Sequence, residues 1–477
     1  MSQLSFRDPA GFCFIHNGRV LRGLGAQDLP VVERFLEGPS ARRLVEQGKL
    51  IASRRLSAAD CEALPRDEVL SALLQSRRPA AVFEHPRIEF PSFPYEWPPE
   101  MLQAAGELTL DLAQGALDDG YSLKDATPYN VLFDGPRPVF IDLLSFEVRQ
   151  PGDPVWLPAA QFERTFVLPL LANKYWGIPL ADIFLAHRDG LEPQALLPLC
   201  GPVRRWLPPL LGQVTLPARL GGGKKGRADI YKPRVLNNPE QARFILDSLF
   251  NRLRRGVRRF GPPANRQSVW SDYTDANSYT DTTLRAKMDF VRHALEGTQA
   301  RRVLDIGANT GQYSVLAAEV GARVVAVDYD AECMGRLWRQ AAEKRLPILP
   351  LVVDVSRPSP AVGWRNRECP SFLARAQGAF DSVLMLAVVH HLAITERVPL
   401  EEIFDLAASL TTKTLVIEWV GPKDAMFQTL LRGRDHLYKH LTQEAFEQIS
   451  TRHFQIHQKL PLEGLDRCLY WMEKREV

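Results

Sequence analysis

Residues 303–313 read VLDIGANTGQY. Two apolar residues, Val303 and Leu304, lead as a strand into Asp305. The spacing Asp-x-Gly-x-Asn-x-Gly then ends that strand. Gly307 and Gly311 supply backbone that can turn sharply or approach a ligand closely. Asn309 stands where a third glycine often sits, and asparagine tolerates the left-handed conformation such a turn demands. A helix is predicted from Gln312 through Val320.

Reading outward, strands and helices alternate from about residue 280 onward, the pattern of a parallel α/β sheet. A second strand, Arg323–Val327, ends in Asp328, 23 residues after Asp305. An acidic residue at that place suits a two-handed contact to ribose hydroxyls. A third predicted strand, Ile348–Val353, ends in Asp354. A fourth, Asp381–Val388, ends in His390 and His391. A fifth, Thr414–Ile417, ends in Glu418 and Trp419, and a strand-rich stretch, Phe454–Met472, closes the region. Polar side chains therefore collect at the carboxyl ends of the strands, where open α/β sheets bind ligands.

A lone glycine turn also suits dinucleotide-dependent dehydrogenases. The discriminators are Asp305 ahead of the first glycine and the acids that end the next two strands. With them, residues 280–477 resemble a class I S-adenosylmethionine-dependent methyltransferase, which implies a Rossmann-like seven-stranded sheet. The strings PSPAVGWRNRE (358–368), LAVVHHLA (386–393), VPL (398–400) and VIEWV (416–420) resemble a bacterial group of nodulation-associated methyltransferases. By that resemblance the Gly307–Gly311 loop lies against the methionine moiety of S-adenosylmethionine, with Asp305 near it. Asp328 holds the ribose hydroxyls and Asp354 faces the adenine amino group. Methyl transfer rests on positioning and desolvation, and needs a general base only where the acceptor must lose a proton. His390 and His391 are the first candidates; neighbours on a strand point to opposite faces, so one of them at most faces the acceptor. Glu418 is the next candidate. Trp270, Tyr273 and Tyr279, ahead of the first strand, are candidates for a lid. The expected acceptor is a small molecule or secondary metabolite.

Composition sets the frame around this unit. The chain has 477 residues, 45% hydrophobic and 24% charged, with net charge +3. That excludes a disordered tail protein, a collagen-like repeat and a small disulfide scaffold. The mild charge argues against a nucleic-acid partner. Six scattered cysteines and the lack of zinc-finger histidine spacing predict no metal site and a reducing, cytoplasmic compartment. No signal peptide and no membrane span are expected.

The first half needs its own account. Gly11–Leu24 predicts two strands around an Asn17-Gly18 turn. Leu29–Leu50 is helical in spacing, broken at Gly38-Pro39, and Leu50–Leu56 and Ala80–Phe90 look like strands. The proline-rich Phe90–Pro99 precedes a helix whose stripe is Met101, Ala105, Leu108, Leu112 and Ala116, stopped by Gly120. Leu123–Leu132 reads LKDATPYNVL, and a short loop and strand then lead to Asp142. Asp125, Asn130 and Asp142 resemble the catalytic loop and metal-binding acid of protein kinases and aminoglycoside phosphotransferases. The resemblance implies a two-lobed α+β domain and, where active, Mg-ATP, with one acid orienting a hydroxyl and the other two residues holding the metal. Leu123 stands in place of the usual histidine, Leu143-Leu144 in place of Phe-Gly, and no glycine-rich phosphate loop is found. Arg19, Arg22 or Lys49 could stand in for the missing phosphate lysine, and the sequence does not choose among them. The expected organisation is a small strand-rich lobe (1–90), a helical lobe (91–215), a basic linker and amphipathic helix (216–265) and the methyltransferase domain (266–477). Gln161–Leu171 is predicted as a buried helix of the helical lobe. The linker helix, Pro239–Phe260, should bury Ala242, Ile245, Leu249, Leu253, Val257 and Phe260. Its arginines could meet RNA, an anionic membrane or an acidic partner, although sparse aromatic residues argue against stacking on single strands. A protein partner could dock on residues 1–215.

Overall fold

The computed structural model describes residues 2–5, 7–64, 68–221, 235–262 and 281–475. Trp270, Tyr273 and Tyr279 lie outside them, as does most of the glycine- and lysine-rich connection.

In the C-terminal part, seven strands form one sheet: β1 (Arg302–Ile306), β2 (Arg323–Asp328), β3 (Ile348–Val352), β4 (Phe380–Met385), β5 (Thr411–Val420), β6 (Phe454–Pro461) and β7 (Arg467–Lys474). Their order is β3-β2-β1-β4-β5-β7-β6. The first five are parallel, and β7 runs antiparallel to both β5 and β6. The region is the Rossmann-like sheet its sequence predicts. Helices cover both faces, so all six residues of β4 are buried. The winding direction reverses between β1 and β4. Strand carboxyl ends diverge there and leave a crevice.

Two strands differ from expectation in ways that matter for the site. β4 stops at Met385 rather than Val388, because Ala387 takes a left-handed φ of +52° and the chain then enters a wide helical turn, His391–Thr395. β5 runs on to Val420, because β7 pairs with it as far as Val420–Arg467. Glu418 and Trp419 therefore lie within the strand, not beyond it.

The N-terminal part opens with a five-stranded antiparallel sheet, in the order Ser2–Ser5, Gly11–His16, Arg19–Leu24, Ala81–His85 and Arg54–Arg55. Asn17 and Gly18 both have positive φ (48° and 77°), as the hairpin turn requires. The helical stretch 29–46 breaks at Gly38, as its sequence suggests. The strand expected over Leu50–Leu56 shrinks to Arg54–Arg55, which has one strand neighbour, Ala81–His85. After the proline-rich segment, helix Pro99–Ala116 buries most of its surface. Two small antiparallel pairs follow, Tyr121–Leu123 with Phe146–Val148 and Val131–Asp134 with Arg137–Phe140. Residues 159–176 are helical, with Glu163–Val167 widened to a π-turn.

Helix Pro239–Phe260 forms over the residues its pattern marks, but it is rotated from expectation. Leu246 and Phe250 are buried, whereas Ile245 is 40% exposed. Four of its six arginines face acids of the same chain: Arg243 pairs with Asp118 and Asp247, Arg252 with Glu163, Arg254 with Asp111 and Arg258 with Glu107.

The two parts share one continuous core, which runs from Phe35 and Leu110 to Phe380 and Ile403. At the junction Arg375 forms a buried ion pair with Glu96 and donates to the Pro91 carbonyl at 2.5 Å. Its guanidinium lies 5.0 Å from the Phe90 ring centre and 5.1 Å from that of Phe93. Glu96 also accepts from Ser359, Glu100 pairs with Arg339, and Trp338 Nε1 donates to the Pro136 carbonyl at 3.0 Å. Among the described residues no helix is long and apolar enough to cross a membrane.

Candidate active site

The turn after β1 is built from three left-handed residues, Gly307 (φ 72°), Asn309 (φ 49°) and Gly311 (φ 85°). A Cβ on Gly307 would sit 2.3 Å from Val388 Cγ2, and one on Gly311 would sit 2.2 Å from Leu337 Cδ1. Both positions therefore require glycine for space as well as for φ. The Gly307 and Ala308 amides donate to the Val327 carbonyl at 2.9 and 3.1 Å, which ties the turn to the end of β2.

Asp328 ends β2 beside this turn. One of its oxygens accepts from the Asn309 amide at 2.9 Å and the other from the Asp330 amide at 3.0 Å. The Tyr329 amide adds a third backbone contact, so the carboxylate is oriented by main-chain donors. Burial raises the Asp328 pKa despite those bonds. Asp305 lies beneath the turn, 1% exposed, and accepts from Ser314 Oγ at 2.6 Å. Burial pushes its pKa up to about 6, and the neighbouring Asp328 adds to the rise. Asp354, after β3, accepts from the Ser356 amide at 2.9 Å, Ser356 Oγ at 2.6 Å and Arg357 Nε at 3.1 Å. Burial works to raise this group, but the Ser356 and Arg357 contacts outweigh it and hold it below the usual range.

His390 and His391 sit at the start of a helical turn, not at a strand end. Their rings are 4.3 Å apart, so both occupy the same corner of the crevice. His390 is 3% exposed, and neither of its ring nitrogens has a hydrogen-bond partner among the described residues. Burial, His391 and the cations Arg467 and Lys287 all hold it neutral, well below the ordinary imidazole pKa. Burial and Arg467 likewise lower His391.

Glu418 is fully buried and reaches Lys287 Nζ at 2.8 Å and Arg467 at 3.5 Å. Arg467 in turn makes a two-bonded contact to Asp424, at 2.7 and 3.1 Å. Lys287 Nζ lies 5.8 Å from the Tyr313 ring centre. Lys287, Arg467 and Asp424 carry no local signal in the sequence that marks them as site residues, and Tyr313 closes the turn's sequence without one. Lys287 and Glu418 are 131 residues apart, and no local pattern joins them.

A cavity of about 430 Å³ opens beside the carboxyl end of β5. Trp419, Phe427, Leu431 and Leu441 give it an apolar side, and Lys439 and Gln443 a polar one. Tyr438, also in its wall, donates to the Ile394 carbonyl at 3.2 Å and so anchors the cavity to the turn that carries His391.

In the N-terminal part, Asn130 Nδ2 donates to Ser145 Oγ at 3.2 Å, and Ser145 Oγ donates to Asp142 at 2.6 Å. These two of the three expected residues are joined through one hydroxyl. Asp125 is exposed and accepts from Gln161 at 3.0 Å. Each of the three cations has an acidic partner. Arg19 pairs with Glu84 and Lys49 with Asp111, while Arg22 reaches Asp142 at 2.9 Å.

Residues 248–465 match a protein-family model described as a methyltransferase domain. The chain is 32% identical over 480 residues to the nodulation protein NoeA of Rhizobium meliloti (strain 1021), a match covering 99% of this chain and 96% of that protein. Among solved structures it is similar to the N-methyltransferase NodS of Bradyrhizobium japonicum with bound S-adenosylhomocysteine (16% identity, 43% of this chain, 97% of that chain, TM-score 0.32). It is also similar to the magnesium protoporphyrin IX methyltransferase of Synechocystis with bound S-adenosylmethionine (16% identity, 44% of this chain, 87% of that chain, TM-score 0.29).

Proposed function

The chain belongs to the family of the nodulation protein NoeA and is a class I methyltransferase that uses S-adenosylmethionine; from that premise we propose that it methylates a small molecule at the crevice where the carboxyl ends of β1 and β4 diverge. S-adenosylmethionine supplies an electrophilic methyl group when bound. The residues present suit it. The Gly307–Gly311 turn packs so closely on Val388 and Leu337 that only glycine fits, which brings bare backbone to the carboxyl end of β1, and Asp328, oriented by backbone amides beside it, suits the ribose hydroxyls. Asp354 takes the neighbouring polar contact, and Asp305 lies under the turn as the nearest anion.

The observation that carries the acceptor reading is His390, a buried imidazole with two unpartnered nitrogens. Held neutral by its surroundings, it can orient an acceptor N–H or O–H and accept its proton as the new bond forms. His391 shares that corner and is the second proton carrier. Glu418, placed between Lys287 and Arg467, suits fixing the wall of the site better than moving a proton. The nearby cavity fits the non-reacting part of a small, partly apolar acceptor. Incubation of the full chain with methyl-labelled S-adenosylmethionine and fractions of a bacterial extract tests this. Label is expected in the low-molecular-weight fraction and should fall at least ten-fold with His390→Ala. Label confined to protein or nucleic acid refutes the small-molecule reading.

For the N-terminal half, we infer a kinase-like module that supports the methyltransferase rather than phosphorylating a second substrate. The motivating contact is Arg22 on Asp142. It places a side-chain cation on the acid that a magnesium ion would need, and Gln161 occupies Asp125. In this role residues 1–215 hold the acceptor or a protein partner. The bifunctional alternative requires Mg-ATP to displace Arg22. A rise in the thermal midpoint of the full chain with Mg-ATP would favour that alternative.

A further inference from the structure

Residues 193–221 form a knob of five short helical segments, Pro193–Leu196, Leu197–Cys200, Arg204–Trp206, Leu211–Thr215 and Leu216–Gly221. The segments hold one another: Thr215 Oγ1 donates to the Arg205 carbonyl at 2.6 Å, and Leu196, Cys200, Leu210 and Val214 make a small buried centre. Around that centre, large apolar side chains point outward. Leu199, Val203, Trp206, Leu207, Leu216 and Leu220 are between 44% and 72% exposed. Single exposed leucines are ordinary, but six such side chains within one small knob are not.

The charges of the knob are one-sided. Residues 193–221 contain Arg204, Arg205 and Arg219 and no aspartate or glutamate. Arg205 donates to the Gly201 carbonyl at 2.8 Å, and Arg219 lies 4.5 Å over the Trp206 ring. None of the three is ion-paired with a carboxylate among the described residues. The arginines at 243, 252, 254 and 258 behave differently, since each of them is matched by an acid.

We propose that this knob docks the protein onto an anionic lipid bilayer. The chemistry fits a headgroup boundary. Tryptophan and leucine enter the interfacial layer, arginines reach lipid phosphates while their stems lie on apolar surface, and the carboxylate nearest in sequence, Glu192, is paired with Arg164. Such docking is peripheral and needs no membrane-spanning helix. It does not depend on the identity of the methyl acceptor.

Co-sedimentation of the full chain with vesicles tests it. One set is phosphatidylcholine alone, the other phosphatidylcholine and phosphatidylglycerol in equal parts. The expected result is sedimentation with the anionic set, weakened as salt rises. Arg204→Gln and Arg219→Gln should each weaken it about five-fold. Trp206→Ser should weaken it further without shifting the thermal midpoint, because the side chain is exposed. The proposal is overturned if the folded chain stays in the supernatant with both sets, or if it sediments equally well after these substitutions. It is also overturned if gel filtration shows the chain to be a dimer that Trp206→Ser converts to a monomer, for then a second copy covers the knob.

Discussion

The molecule carries two acid-bearing loops at strand ends, and they treat their carboxylates in opposite ways. Asp328 is held by backbone amides, which fix its direction without neutralising it. Asp142 takes one long backbone contact, from Leu144 at 3.4 Å, and its short contacts come from side chains, the cation of Arg22 and the hydroxyl of Ser145. Sequence spacing alone makes both loops look like ligand sites. The nature of the hydrogen-bond donors separates them. Backbone donors pre-organise a carboxylate, whereas a side-chain cation neutralises it.

The sharpest contrast to break concerns the ion pairs behind each loop. Lys287 and Glu418 are both essentially buried, so Lys287→Ala removes a partner from a carboxylate that water cannot reach. A loss of about 3–5 kcal/mol in urea unfolding is expected. Asp305→Asn should act in the other direction. Its folded pKa of about 6 lies above the ordinary 3.8, so the native state holds this proton more tightly than the unfolded chain does. Stability therefore falls as pH rises between those values, and the full penalty is present above the higher one. The variant should gain little at the acidic end of that window and up to about 3 kcal/mol above it, read from thermal midpoints across pH. An equal gain at every pH would remove Asp305 as the titrating group.

Next comes cofactor binding. Asp328→Ala should weaken S-adenosylmethionine by about 1–3 kcal/mol in isothermal titration, and Asp142→Ala should leave it unchanged. Equal losses from the two variants would erase the distinction between the loops. The smallest effect belongs to Arg22→Ala. The Asp142 partner is 23% exposed, so a cost of about 1 kcal/mol is expected in thermal unfolding. Mg-ATP should leave the thermal midpoint of this variant unchanged, as it does that of the parent, since Ser145 still holds Asp142.

Much of the donor site was legible in sequence because it is local. The turn from Asp305 to Gly311 lies within one strand–turn–helix unit, and the acids that end β2 and β3 are separated by regular α/β spacing. Helix 239–260 was legible in extent for the same reason, but its buried face was not. Ile245 and Leu246 are both apolar, and only tertiary packing selects Leu246 for burial.

What the sequence by itself determined, then, is the conformation of short segments: left-handed turns that need glycine or asparagine, apolar strands, and helices with a stripe. Tertiary structure decided which charges meet. It put Glu418 inside β5 by pairing that strand with β7, and it brought His390 and His391 onto one helical turn. It set Arg22 on Asp142, and it matched four arginines of helix 239–260 with acids up to 151 residues away. Backbone conformation is governed by neighbours a few residues apart, whereas a buried charge is governed by whichever partner the folded chain delivers, and no local spacing encodes that.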